Sequence, residues 1–317
     1  MAALNLMRIS VVRPRCVLSA HMPSLSNAAR QQPIDALVIA CLAATWLVWG
    51  STYLAIKFAV AGIPPFFMMG TRFVVAGAVL LAYMRIRGNR MPTPRQWLNA
   101  TIVGTLMLGL GMGCTARAEQ TVSSGLVVAF IAVTPLLVVL ARLPFGIHPG
   151  RGEVVGILVG LCGVLMLTQG TGFRASPVGL GVMVLACSGW TAGSVLSQQV
   201  LPLAAGPTGF ASEMLSGGFV LLAISAAVGE QPTPVIASGP WLAWGYLVVF
   251  GSLIAFNAYM HLLGRVTSGL ALSYTYVNPI IAMLLGFTIG GEFITAWEWL
   301  SATVVLAGVV LLLFARR

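Results

Sequence analysis

Val266 to Pro279 reads VTSGLALSYTYVNP, and a copy of it stands 144 positions earlier, at Val122 to Pro135, as VSSGLVVAFIAVTP. Six of the fourteen aligned positions are identical: Val122/Val266, Ser124/Ser268, Gly125/Gly269, Leu126/Leu270, Val133/Val277 and Pro135/Pro279. Matches of Leu or Val come easily in an apolar chain. Small-small-Gly-Leu with a proline ten residues after the glycine does not, so the chain is read as two versions of one unit.

The repeat extends outward from this stretch. A shift of 141 pairs Gly77, Val79, Leu80, Leu81 and Ala82 with Gly218, Val220, Leu221, Leu222 and Ala223, and Trp49 with Trp190. A shift of 144 pairs Trp97-Leu98 with Trp241-Leu242.

Composition supplies the setting. The 317 residues are 58% hydrophobic and 8% charged, with a mean hydropathy of +0.96. Soluble domains carry about 25% charged residues, so this chain belongs in a bilayer. Apolar runs of about 20 residues, enough to cross the hydrocarbon as helix, recur throughout. Ten such spans are expected, at 36–61, 66–85, 96–116, 119–142, 152–170, 177–200, 207–229, 239–263, 267–290 and 294–315. Each half (34–172 and 173–317) then holds five. An odd number makes the second half enter the membrane from the opposite side, an inverted repeat of the kind that alternates access around a midplane site.

Net charge is +10, but the arginines sit between apolar runs, where they carry orientation rather than mark a nucleic-acid surface. With the N-terminus inside, Arg8, Arg13, Arg15, Arg30, Arg85, Arg87, Arg90, Arg95, Arg142, Arg151, Arg265, Arg316 and Arg317 are cytoplasmic, and only Arg117 and Arg174 are outside. Both termini are therefore expected to be cytoplasmic. Residues 1–33 have no continuous apolar core, so they read as a basic tail rather than a signal peptide, or as an over-long start with Met22 as the true beginning. The five cysteines have neither CxxC nor ligand-like spacing, so neither a disulfide framework nor a metal site is expected.

Ten spans as five plus five, an early Trp-Gly-Ser (Trp49, Gly50, Ser51), Arg72 in the second span, and a late Tyr-Val-Asn-Pro (Tyr276 to Pro279) followed by Gly291-Glu292 resemble the EamA-type branch of the drug/metabolite transporter superfamily. The resemblance covers residues 36–315, and the motifs are specific to the superfamily rather than to a substrate. It implies export of small metabolites, amino acids or toxic organic compounds across the bacterial inner membrane. It also implies a cavity between the first four helices of each half, with the fifth and tenth at the periphery.

Several side chains are candidates to line that cavity. Pro135 and Pro279 each lack an N–H and clash with the carbonyl four residues back, so a kink and a freed carbonyl are expected at Ile131 and Thr275. The kink can be a plain bend; around Pro279, however, Tyr274, Thr275, Tyr276 and Asn278 add polar groups that suit a substrate. On the first span Trp46, Tyr53 and Lys57 fall within about 40° of one another, with Trp49 about 60° aside. Trp46 and Trp49 lie too deep for interfacial anchors, and offer stacking or cation–π contact. Trp190, Ser194 and Ser197 form a milder equivalent on the sixth span. Asn257 is a further cavity candidate, one turn from His261, whose isolated imidazole is read as interfacial.

Charges within spans face protein or water. Arg72 suits either a structural pairing with helix-end carbonyls or a gating role. Glu213, aligned with it, is a titratable group and a candidate for proton coupling. Arg117 and Glu119 are expected as a solvated pair at the outer helix ends, with Glu119 a candidate for lining the mouth. Gly152, Gly156 and Gly160 make a GxxxGxxxG surface for close helix packing, inside the bundle or between two copies, so a monomer or a homodimer is open.

No GxxxxGK[ST] loop is present, so the energy source is an ion gradient, exchange or downhill flux, with protons a possible coupling ion. No HExxH, GxSxG or His/Asp cluster points to an intramembrane enzyme, and no cofactor is expected. Lys57 and Arg72 are the only cations within helices, which favours a neutral, zwitterionic or cationic amphipathic substrate over a phosphorylated one. Antiport of phosphorylated metabolites and a channel are the alternatives.

Overall fold

A computed structural model describes residues 35–131, 133–146, 148, 150–169, 176–231, 238–263, 265, 274–291 and 293–314. The basic tail, Arg174, residues 266–273 of the quoted repeat, Glu292, Arg316 and Arg317 lie outside these, as do the side chains of Pro135, Thr275, Tyr276 and Pro279.

Every regular element among the described residues is helical. In chain order these are α1 (Ala36–Val60), α2 (Pro65–Ile86), α3 (Pro94–Ala118), α4 (Ser124–Ile131), α5 (Thr134–Ala141), α6 (Arg151–Thr168), α7 (Pro177–Gln199), α8 (Pro207–Ala227), α9 (238–263), α10 (Tyr274–Thr288) and α11 (Ala296–Phe314). Six of them, α1, α2, α3, α7, α8 and α9, are long and apolar enough to cross a membrane, and they fall on the spans expected at those positions.

Local chemistry sets where the helices begin. Asp35 accepts the Val38 N–H at 2.8 Å, Thr93 and Gln96 form a reciprocal capping box, and Ser176 accepts the Gly179 N–H at 2.9 Å. Proline stands in the first turn of α2, α3, α7 and α8, where its missing N–H would have gone unbonded anyway. The α2 start is completed from far away: Glu230 accepts the N–H groups of Phe66 at 3.2 Å and Phe67 at 2.8 Å. Pro135 acts as expected on the backbone, because helix stops at Ile131 and resumes at Thr134 with the proline in its first turn. Pro279 differs, since α10 runs through it without a break from Tyr274 to Thr288.

Two helices carry an unforeseen feature. α3 contains a π segment at Thr105–Gly113, and α9 contains one at Leu247–Ile254, where the Ala255 N–H bonds the Phe250 carbonyl five residues back.

α2 lies along α8, α6 along α11, α1 along α9 and α10, and α7 along α5 and the π segment of α3. Small residues permit the closest crossings. A Cβ on Gly104 of α3 would stand 2.8 Å from the Glu213 carbonyl of α8, and one on Gly217 would stand 2.9 Å from the Gly104 carbonyl. The GxxxGxxxG surface of α6 packs inside the bundle, with Gly308 of α11 seated against Gly156 and Gly160. The buried apolar side chains form two main clusters, and Tyr53 packs against both.

Candidate functional site

The residues of Trp-Gly-Ser on α1 each meet the second half. The Trp49 indole donates to the Gly251 carbonyl at 3.2 Å, Gly50 admits Ile281 of α10 so closely that a Cβ would stand 2.7 Å from its Cγ2, and the Ser51 and Tyr246 hydroxyls are 2.6 Å apart. The motif is therefore a docking strip for α9 and α10.

Beside this strip three aromatic rings converge. Trp49 packs edge-on to Tyr274 with centroids 4.5 Å apart, and 5.4 Å from Tyr259; Tyr259 and Tyr274 meet edge-on at 5.6 Å. Edge-to-face pairs of this kind contribute about 0.5–1.5 kcal/mol each beyond their burial. Trp46 and Tyr259 both pack against a small cluster of Val38, Leu42 and Leu262. Buried Asn278, oriented so that its amide donates, lies 3.2 Å from the Trp46 carbonyl and 3.1 Å from the Tyr274 carbonyl. Helices α1, α9 and α10 thus share one aromatic and amide cluster.

A second lining stands across Tyr53. Tyr53, Met112, Thr115, Ile131, Thr134 and Trp190 enclose a cavity of about 50 Å³. Ligand sites for small organic molecules are usually about 300–1,000 Å³. This cavity is therefore smaller than such a ligand.

Arg72 is only 3% exposed. Its Nε donates to the Ser252 hydroxyl at 3.0 Å, its Nη1 lies 3.6 Å from the Met69 sulfur, and its guanidinium stands 4.9 Å from the centre of the Phe73 ring. The partner is thus a hydroxyl in the π segment of α9, not a helix-end carbonyl. Glu213 is 4% exposed, and its Oε1 has no hydrogen-bond partner among the described residues.

Other sequence candidates fall differently. Glu119 is buried rather than solvated, and Arg117 bonds Gln120. Lys57 lies in the last turn of α1, one turn beyond Tyr53. Asn257 is exposed and donates to the Leu253 carbonyl of its own helix at 2.6 Å, away from the cluster. Pro135, Thr275, Tyr276 and Pro279 are placed on their helices by backbone alone. Tyr259 was not foreseen, since its contacts with Trp49 and Tyr274 join separate helices.

Comparison with known proteins gives the family of the chain. The chain matches the EamA-like transporter family over residues 36–169 and again over 177–314. It is 40% identical over 276 residues to the inner membrane transporter YedA of Escherichia coli (strain K12), covering 87% of this chain and 90% of that one. It is 24% identical over 283 residues to the protein PecM of Dickeya dadantii (strain 3937), covering 85% and 91%. One solved crystal structure, 21% identical, superposes with a TM-score of 0.61 over 90% of this chain and 100% of that one, a likeness of fold alone. The chain is a multi-pass inner membrane transporter and belongs to the EamA-like transporter family.

Proposed function

We propose that this chain is a secondary transporter that exports a small amphipathic compound, neutral, zwitterionic or cationic, by alternating access between two inverted five-helix repeats with cytoplasmic termini. The observation that carries the reading is the cluster of Trp49, Tyr259 and Tyr274 beside Trp46 and Asn278, where π faces and an amide converge from α1, α9 and α10. A ring-bearing or cationic group would exchange for the ring-to-ring contacts, and the Asn278 amide for a polar substituent.

Three further observations support the repeat. The family match falls once in each half. The π segments begin at Thr105 and Leu247, 142 residues apart, close to the shifts of 141 and 144 in the sequence. Exchanging the halves turns the α2–α8 and α6–α11 pairings into themselves, as a two-fold repeat requires.

Glu213 is the proposed proton-coupling group, since a buried carboxylate exchanges protons with a driving gradient only if it can lose its charge inside the protein. Glu213→Gln should flatten the pH dependence of transport; an unaltered pH profile would remove this carboxylate from coupling.

The test of function starts with thermal shifts of the purified protein against amino acids, organic cations and sugar phosphates. Counterflow in proteoliposomes follows with any stabilising compound. Trapped unlabelled compound should accelerate labelled uptake, and uptake indifferent to the trapped compound would indicate a channel.

A further inference from the structure

The π segment of α9 joins two features that have so far stood apart. Gly251 presents its carbonyl to the Trp49 indole, and Ser252, the next residue, accepts the Arg72 guanidinium. The contact is tight on the Arg72 side, since a Cβ on Gly251 would lie 3.0 Å from Arg72 Nη2, and it is in ordinary contact with Thr52, whose Oγ1 would lie at 3.6 Å. Trp49 and Arg72 therefore grip adjacent residues of one widened turn, from α1 and α2.

That turn also sets the direction of Tyr259. At about 100° per residue, Tyr259 in an uninterrupted α-helix would point about 80° away from Gly251. A π turn absorbs one extra residue, which brings Tyr259 to within about 20° of Gly251 and so onto the side where Trp49 stands. The observed ring contact of Trp49 with Tyr259 agrees with the second geometry. Two of the three rings in the cluster thus depend on the π turn: Trp49 through the Gly251 carbonyl and Tyr259 through helix phase.

We propose that Arg72 is a positioning residue, which pins the π turn of α9 through Ser252 and thereby fixes Trp49 and Tyr259 in the substrate wall without itself touching substrate. The inference rests on the placement of Trp49 in that wall. It explains why a buried cation is retained in α2: a guanidinium offers several donors in a fixed fork, and so can hold a hydroxyl while lying flat over a glycine. Ser51 and Tyr246, bonded at the start of the same segment, add a third hold on it from α1.

The experiment uses the full chain in nanodiscs, labelled with 5-fluorotryptophan, with the Trp49 fluorine resonance identified by its loss in Trp49→Phe. Ser252→Ala removes one hydroxyl and should shift the Trp49 resonance. It should also raise the KM for counterflow by about fivefold, leaving the maximal rate within about twofold. Ser252→Thr keeps the hydroxyl and should restore both. Gly251→Ala keeps the carbonyl but displaces the guanidinium, and should shift the same resonance, which provides the readout if Ser252→Ala fails to fold. A Trp49 resonance unmoved by either alanine variant overturns the proposal. A resonance that moves while KM stays at the wild-type value supports the pinning by Arg72, and instead removes Trp49 from the substrate wall.

Discussion

The π segments of α3 and α9 stand at matching places in the two halves, yet they meet different neighbours. The one in α3 is a close-packing device. Gly189 of α7 comes so near that a Cβ would stand 2.6 Å from Leu110 Cβ and 2.8 Å from the Leu106 carbonyl, and Gly111 leaves room for the Trp190 ring. The one in α9 is a polar anchorage, holding Arg72 by a hydroxyl, Trp49 by a carbonyl and Ser51 through Tyr246. The same backbone irregularity thus brings helices together in the first half and positions side chains in the second. Substitutions should therefore act through sterics in one half and through chemistry in the other.

The largest effect is expected where that steric role is broken. Gly189→Val places a branched side chain against the backbone of α3 and should destabilise by about 3 kcal/mol or more, seen as loss of monodisperse protein on size exclusion. Recovery of well-folded protein would show that the α3–α7 crossing is looser than described. Next comes the chemical role. Trp46→Ala and Asn278→Ala should abolish transport while leaving folding and insertion intact, because they remove one ring and one amide from a site that closes on substrate. Wild-type rates from both would detach the cluster from transport. The smallest effect serves as a contrast with both. Glu230→Ala takes the carboxylate from the α2 start, outside both π segments, and should lower stability by about 1 kcal/mol without changing KM, measured by thermal unfolding alongside counterflow.

Much of the fold was legible, because spans are set by composition and length. The six long apolar helices fall on expected spans, and Pro135 interrupts helix where its missing N–H requires. Trp-Gly-Ser was legible only as a motif, since its partners Gly251, Ile281 and Tyr246 are distant in sequence. The π segments were not legible: TLMLGLGMG and LVVFGSLI share no pattern that forces a wider turn. Tyr259 stands in no motif that singles it out, and its ring contacts with Trp49 and Tyr274 join separate helices. Glu119 was expected at a solvated helix end but is buried at the C-cap of α3. Glu230 carried no local signal at all, for its partners are some 160 residues away.

The central claim is that the substrate wall is built around the π segment of α9, which Trp49 of the first half meets, and not around that of α3, which Trp190 of the second half meets. Trp49 and Trp190 are aligned with each other in the repeat, which makes them a matched pair for testing it. The most direct measurement is counterflow in proteoliposomes by Trp49→Ala and Trp190→Ala, each checked for folding. Trp49→Ala should reduce exchange by about tenfold or more, and Trp190→Ala by about threefold or less. Exchange lost in Trp190→Ala but retained at the wild-type rate in Trp49→Ala would contradict it.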